Sequence, residues 1–461
     1  MNKTVLTSFL VLCLLSTLFL MGFQISVKGN SEFSVHNIDT GLDYVTIQGA
    51  INANETLDGH TILVDAGAYY ENVVVNKTLS LIGENRNTTI IDGNLTGYVV
   101  WVKANKVTIK GFTIRRSGTY NGVSLGVFLD HSNSSKINAN MIATNGDGIL
   151  LVYACNNSIN GNIIRDNGRG IRLHHYCNNN SLYENTIINN YDGIYIFGNS
   201  EGNRVIRNMI EGKGKQHPYR GIEISDYCRY NVINGNTITS NEEGIEVMFS
   251  SEHNVFNENT ITENIKCIRL HVSNCNNIYH NNFINYTVHV SAYRSYNNNW
   301  DYGYPSGGNY WTDYTGLDEY SGVFQNDTGN DWIGDTPYVI DGNNQDNYPF
   351  TDLYVPERQE ILVAYRNLLG RYNQILSDFN ILNSTYHTLL SNFSELQGNY
   401  TSLQISYNSL QGLCDSLNST YTNLMGELNN IRNLMYIFIA TTIILIATTI
   451  YLAIRKPKIK P

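Results

Sequence analysis

The sequence predicts an all-β head, a right-handed parallel β-helix of about ten coils, followed by a long α-helical coiled-coil stalk and one C-terminal transmembrane helix. Three observations carry this expectation. An Asn with aliphatic neighbours returns at Asn140, Asn162, Asn185, Asn208, Asn236, Asn259 and Asn282, at steps of 22, 23, 23, 28, 23 and 23 residues. From Tyr365 to Leu428 an aromatic or apolar residue returns every seven positions, with Leu or Ile three places behind each. Leu434 to Ile454 is then apolar and uncharged, and Arg455, Lys456, Lys458 and Lys460 follow it.

The expected head spans 36–294. Short β-branched runs between 61 and 114 read as opening coils, and the segment Tyr44 to Ile51 has helical apolar spacing suited to covering the first coil's open edge. Regular coils begin near 107, where Phe112 replaces the Asn, and an insertion falls around 117–121. A Gly-Ile pair or its equivalent recurs at Gly148, Gly170, Gly193, Gly221, Gly244 and Cys267. Coils stack about 4.8 Å apart, so equivalent positions form columns. Five places before the anchor stand Asn157, Asn180, Asn203, Asn231, Asn254 and Asn277, and five after it Asn145, Asn167, Asn190, Asn241 and Asn264. Asn tolerates left-handed backbone, and its amide can bond the amide one coil on, so these read as turn columns and not as catalytic groups. Just before the Gly-Ile pair, Asp147, Arg169, Asp192, Arg220, Glu243 and Lys266 alternate in sign, which reads as an exposed register-fixing ladder. Cys155 and Cys177 fall 22 residues apart in one column, a disulfide candidate, with Ser200 and Cys228 further along it.

Chemistry is sparser. Glu223 and Glu246 share an outward column bracketed by Arg172 and Arg269, a weak catalytic candidate, since paired carboxylates serve glycoside hydrolysis or hold calcium. Met248 and His271 are column neighbours, and His174, His175, His253, His280 and His289 lie elsewhere on the coils; imidazole and thioether suit copper, but these ligands are scattered. Asp130-His131 resembles a short motif of pectate lyases, without the Arg-x-Pro-x-x-Arg that supplies their base. No Cys-x-x-Cys is present, so neither a zinc knuckle nor a dithiol pair is supported.

Residues 295–355 are acidic and aromatic and contain no Lys or Arg, which predicts a cap packed on the last coil. Asp327, Asp331 and Asp335 within it are weak calcium candidates, and exposed Trp and Tyr would suit sugar stacking. The coil phrase, together with GYPSGGNYWTDY and IGDTPYVIDGNNQDNYPF, resembles the NosD-like β-helix proteins of the pectin-lyase-like superfamily, with their carbohydrate-binding and sugar-hydrolase domains, frequent in archaeal surface proteins. The resemblance covers about 36–352 and implies the β-helix fold and either copper delivery or polysaccharide processing. No Asp-Asp, Gly-His-Gly or Arg-x-Lys group of polygalacturonases is present to carry over.

The heptads of 357–433 make a stalk of about 100 Å at 1.5 Å per residue, with flanks of Asn, Ser, Thr and Gln that encode partner choice weakly. Self-association would bring Cys414 to the seam. The span 434–454 matches a bilayer of about 30 Å, and the basic tail 455–461 places the C-terminus in the cytoplasm and the head outside. Residues 1–29, with an apolar run from Val5 to Phe23, form a signal peptide or N-terminal anchor, with cleavage favoured. Sequons at Asn54, Asn76, Asn87, Asn94, Asn133, Asn156, Asn179, Asn285, Asn326, Asn383, Asn392, Asn399 and Asn418 are glycosylation candidates on an exterior chain. A net charge of −10 with no basic stripe argues against nucleic acid.

The function expected is therefore a membrane-anchored, cell-surface binding platform for glycan or envelope components. A polysaccharide lyase or hydrolase is the alternative from another class, followed by a structural surface-layer protein or a copper-handling one. Calcium is the first cofactor expectation and copper the second.

Overall fold

The computed structural model describes residues 34–120, 122–214, 219–395 and 400–454. The N-terminal apolar run and the basic tail lie outside these. The chain divides into two units, Met1–Glu360 and Ile361–Pro461.

Short runs with alternate residues buried make each coil of the first unit. In one coil these are Ser158–Asn160, Ile163–Arg165 and Arg169–His174, each with its middle aliphatic residues inside. Successive coils pair in parallel, building three long sheets of 12, 11 and 11 strands and about ten coils in all. The interior is a set of aliphatic columns, such as Ile149, Ile171, Ile194, Ile222, Ile245 and Ile268 in the third sheet. Their side chains are buried, and each fully buried Ile or Leu contributes about 1.5–3 kcal/mol relative to exposure. The Gly of the Gly-Ile phrase has a steric reason. A Cβ on Gly170 would lie 2.5 Å from the carbonyl oxygen of Gly193 in the next coil.

The Asn columns lie inside the wall. Asn185 accepts from the backbone N–H of Asn162 at 3.1 Å and donates to the Ile159 carbonyl at 2.9 Å. The amide of each Asn thus ties the coil before it, as the spacing predicted. Two details differ. The left-handed backbone sits on the residue before each Asn, at Glu184 (φ 54°) before Asn185 and Ala139 (φ 55°) before Asn140. The Asn itself is then free to turn its side chain inward. The last coil is also one residue shorter than the phrase suggested. Asn259 bonds Asn281 and Asn254 bonds Asn276, so these, and not Asn282 and Asn277, continue the two columns.

The same kind of slip corrects the cysteine pair. Val152 stands opposite His174, an offset of 22, but Ser158 stands opposite Ser181, an offset of 23. The turn between them gains a residue. Cys177 therefore enters the buried column with Ser200, whose hydroxyl accepts its N–H, and Cys228, whose Sγ accepts the Ser200 N–H. Cys155 instead lies beside Asn178, whose N–H reaches its Sγ at 3.4 Å. Both are free thiols.

Both solenoid ends are covered. At the start, α1 (Ile47–Asn52) is capped by Thr46, turns Ile47, Ala50 and Ile51 inward, and receives Glu71 on the N–H groups of Ile47 and Gln48. At the other end Trp311 stacks on Phe283 of the last coil at 4.3 Å, and Trp300 and Phe350 are buried beside it. The buried Asp346 carboxylate accepts from Trp311 Nε1 and Asn309 N, and burial pushes it up to about 7.

The second unit is helical, α2 (Pro356–Glu395) and α3 (Tyr400–Ile454). Phe379, Tyr407, Tyr421 and Ile431 of the heptads are exposed on it. Tyr407–Thr448 contains a stretch long and apolar enough to cross a membrane.

Candidate functional site

Chemistry-bearing side chains concentrate on the outer face of the third sheet, because its strands from Asp147 onward are six residues long and carry three outward columns. The first is the charge ladder, in the register expected: Asp147, Arg169, Asp192, Arg220, Glu243, Lys266. Its acids are not exposed, however. Asp147, Asp192 and Glu243 are buried, because the long arginines fold across them. Arg169 reaches Asp192 at 3.3 Å and Asp147 at 3.6 Å, and Arg172 reaches Asp147 at 3.0 Å. Burial pushes the Asp147 carboxyl above its usual range, against the two guanidiniums, and pulls Arg172 below its own.

The middle column runs Leu150, Arg172, Tyr195, Glu223, Glu246, Arg269. Glu223 and Glu246 are thus adjacent, bracketed as the spacing indicated. Glu246 has no exposed surface, because Arg220 Nε and Arg269 Nη1 close over it. Glu223 lies 3.5 Å from Arg220, and burial pushes it up to about 7 despite that cation. With Glu246 sealed, the two carboxyls do not present a matched acid and nucleophile to solvent.

One position before the ladder, a further column had gone unread in the sequence: Gly146, Gly168, Tyr191, Tyr219. The peptide N–H of Tyr191 bonds the Gly168 carbonyl, and that of Gly168 the Asn145 carbonyl. Two coils without side chains here open a notch, a cleft of about 440 Å³ lined by Ser124, Gly146, Asp147, Gly168, Arg169, Arg172, Tyr191 and Asp192 among others. Tyr191 stacks on Tyr219 at 5.0 Å, with Lys213 4.4 Å from its ring centre. In the cleft wall Asp147 Oδ2, Arg169 Nε and Arg172 Nε are buried without an aligned hydrogen bond. The ion pairs bring the charges together, yet the N–H groups do not point at the oxygens. At the far ends of the same strands a second aromatic row stands, with His131 stacked on Tyr153, His174 on Phe197 and His271 on Tyr293 at 5.0–5.1 Å.

The metal candidates are not brought together. Among the described residues no three His, Cys, Asp or Glu form a group able to hold a metal ion. Asp335 is occupied by the N–H groups of Glu319 and Tyr320, and Asp331 by that of Ile333, so these two calcium candidates serve turns separately. Met248 and His271 are neighbours, with His271 Nδ1 buried and unbonded, but His280 Nε2 meets the Ser306 carbonyl and His253 stacks on Tyr230. Burial pushes the Cys177 and Cys228 thiols up to about 11 and 12, away from the thiolate a soft metal takes. These residues do not fit a copper centre of three ligands. Asp130 and His131 pair at 2.7 Å, with Asp130 Oδ2 held by Trp101 Nε1.

Comparison with known proteins follows this geometry. A Methanothermus fervidus protein described as a cell surface glycoprotein is 32% identical over 130 residues, which is 28% of this chain and 20% of that relative. The chain thus spans about a fifth of its length. A Geobacillus virus E2 protein, ORF18, aligns with TM-score 0.46 at 14% identity over 64% of this chain and 62% of its own. The mannuronan C-5 epimerase AlgE6 A-module of Azotobacter vinelandii aligns with TM-score 0.41 at 15% identity, over 54% and 74%. The model of the family described as periplasmic copper-binding protein (NosD) matches residues 46–222 and 215–316, more than half of the sequence, and the chain belongs to that family.

Proposed function

We propose that the protein is anchored in the cell membrane by its C-terminal helix and presents the β-helix outside the cell as a glycan-binding platform. The observation that carries this reading is the outer face of the third sheet: a cleft with buried, incompletely bonded polar groups, bordered by aromatic rings. Such a mixture of apolar ring surface and converging polar atoms is what saccharide sites need. The surface location is supported by the cell surface glycoprotein relative and by the apolar stretch within Tyr407–Thr448. The heptads of α2 and α3 serve as a self-associating stalk, since an amphipathic helix with exposed Phe379 and Tyr421 gains by burying them against a second copy. The basic residues after the span hold the C-terminus inside.

The test is a glycan array and a polysaccharide-degradation assay on the detergent-solubilised full chain, with and without calcium. Binding without degradation is expected, and absence of binding to every glycan refutes the platform. Resistance to alkaline extraction from membranes checks the anchor. A second reading, polysaccharide cleavage, is favoured by Glu223, whose carboxyl burial pushes up to about 7 on the same outer face. It requires measurable turnover that Glu223→Gln abolishes.

A further inference from the structure

The notch beside Tyr191 permits a narrower statement about the ligand, which rests on the glycan-binding reading. We propose that this notch takes one uncharged pyranose unit, its ring laid on Tyr191 and its hydroxyls on the Asp147–Arg172 and Arg169–Asp192 pairs, and that it rejects uronates. Tyr219 of the following coil and Lys213, 4.4 Å from the ring centre, cover part of Tyr191, which itself remains 51% exposed at the edge of the gap left by Gly146 and Gly168. Here the column stops at Tyr191, because the two preceding positions have no side chain to continue it.

The polar wall then selects among sugars. Asp147 Oδ2, Arg169 Nε and Arg172 Nε are buried and lack aligned partners, although each sits in an ion pair of 3.0–3.6 Å. An alcohol both donates and accepts, so adjacent ring hydroxyls can satisfy an acceptor on Asp147 and donors on the arginines together. A carboxylate can only accept. It could take the arginine N–H groups, but it would leave the Asp147 acceptor unmet and would set its own charge against Asp147 and Asp192. Among the described residues of this face the charges nearly balance: Asp130, Asp147, Asp192, Glu223, Glu242, Glu243 and Glu246 against Arg169, Arg172, Lys213, Arg220, Lys266 and Arg269. A polyanion therefore meets no surplus of cations to replace its hydration, and an unpaired charge in a desolvated site is costly.

The experiment uses the full chain in detergent micelles and an array of size-matched neutral oligosaccharides, the manno-, xylo- and gluco- series, beside oligogalacturonates and oligomannuronates. Affinities are read for the native protein, for Tyr191→Ala and for Arg172→Gln. Tyr191 is exposed, so its truncation leaves the fold intact, which circular dichroism checks. The expected result is binding to at least one neutral series, at least tenfold weaker in Tyr191→Ala, with uronates bound at least tenfold less tightly than their neutral counterparts. Preference for a uronate series overturns the inference while leaving glycan binding standing. Neutral binding that neither substitution weakens overturns the placement in this notch. Binding to nothing on the array overturns the platform and this inference together.

Discussion

Truncating one amide of the internal Asn columns is the most direct test of what holds the coils. Asn185 receives the Asn162 backbone N–H at 3.1 Å and the Asn162 Nδ2 at 3.0 Å, and gives its own Nδ2 to the Ile159 carbonyl at 2.9 Å and Asn208 Oδ1 at 3.0 Å. In Asn185→Ala all four bonds go, and the buried Asn162 N–H is stranded, while the Ile159 carbonyl keeps its place in the parallel ladder beside Tyr183. A neutral hydrogen bond contributes about 1 kcal/mol net and a stranded buried group costs about 1–3, so the loss is about 4–6 kcal/mol. Because stability in a solenoid is a sum over neighbouring coils, the loss falls on the coils around 159–208. Hydrogen exchange on the full chain should show protection there reduced by about three to four orders of magnitude, at about 1.4 kcal/mol per tenfold. The control Asn160→Ala, on the half-buried outer side of its strand, should change it less than threefold. Equal, small effects from both variants would show that the amide columns are not what ties the coils.

Other outcomes follow from the same structure. Arg220 lies within 3.8 Å of Glu223 and Glu243, and also contacts Glu246; Arg220→Met leaves buried acids uncompensated and should cost about 3 kcal/mol or more in chemical denaturation. Asp346 is held at about 7 against an ordinary 3.8. An acid raised in the folded state keeps its proton after the unfolded chain has lost it. The cap should therefore be most stable at low pH and lose of the order of 4 kcal/mol as pH rises from about 4 through 7, a slope that Asp346→Asn removes in pH-dependent melting. Native alkylation should label the half-exposed Cys155, with Cys177 and Cys228 reacting only after unfolding. Trp311→Ala, which removes the ring stacked on Phe283 at 4.3 Å and on Tyr338 at 4.4 Å, should cost about 3–5 kcal/mol and expose 295–355 to limited proteolysis.

The coils were legible because the repeat is imposed by stacking: a column residue meets its own kind above and below, so identity recurs at the coil length. The charge ladder was legible for the same reason, since opposite signs at Asp147 and Arg169 only help each other in register. What spacing could not show is where a turn gains or loses a residue. One added residue between Val152 and Ser158's partners moved Cys177 away from Cys155, and one lost residue moved the anchor from Asn282 to Asn281. Burial of the ladder acids was also hidden, because it depends on how arginine stems lie across neighbouring coils. The Tyr191 notch was within reach. Stepping one residue back from the ladder gives Gly146, Gly168, Tyr191, Tyr219, but a missing side chain is a weak signal until the coils are superimposed.

The coils differ in length by up to six residues between the 22-residue and 28-residue steps, yet the Ile columns and two of the three buried Asn columns stay continuous; the third is interrupted at the long step, where Gly212 stands beside Asn190. The surplus of the longest regular step falls in the sequence between Gly212 and Arg220. Surface content and frame are thus separable in this architecture. A coil can be lengthened at the turn that follows Gly212 while the amides of the other two columns still find the coil on either side. The outer surface is in effect a replaceable margin on a self-templating rod, and its side chains can change without disturbing the frame beneath.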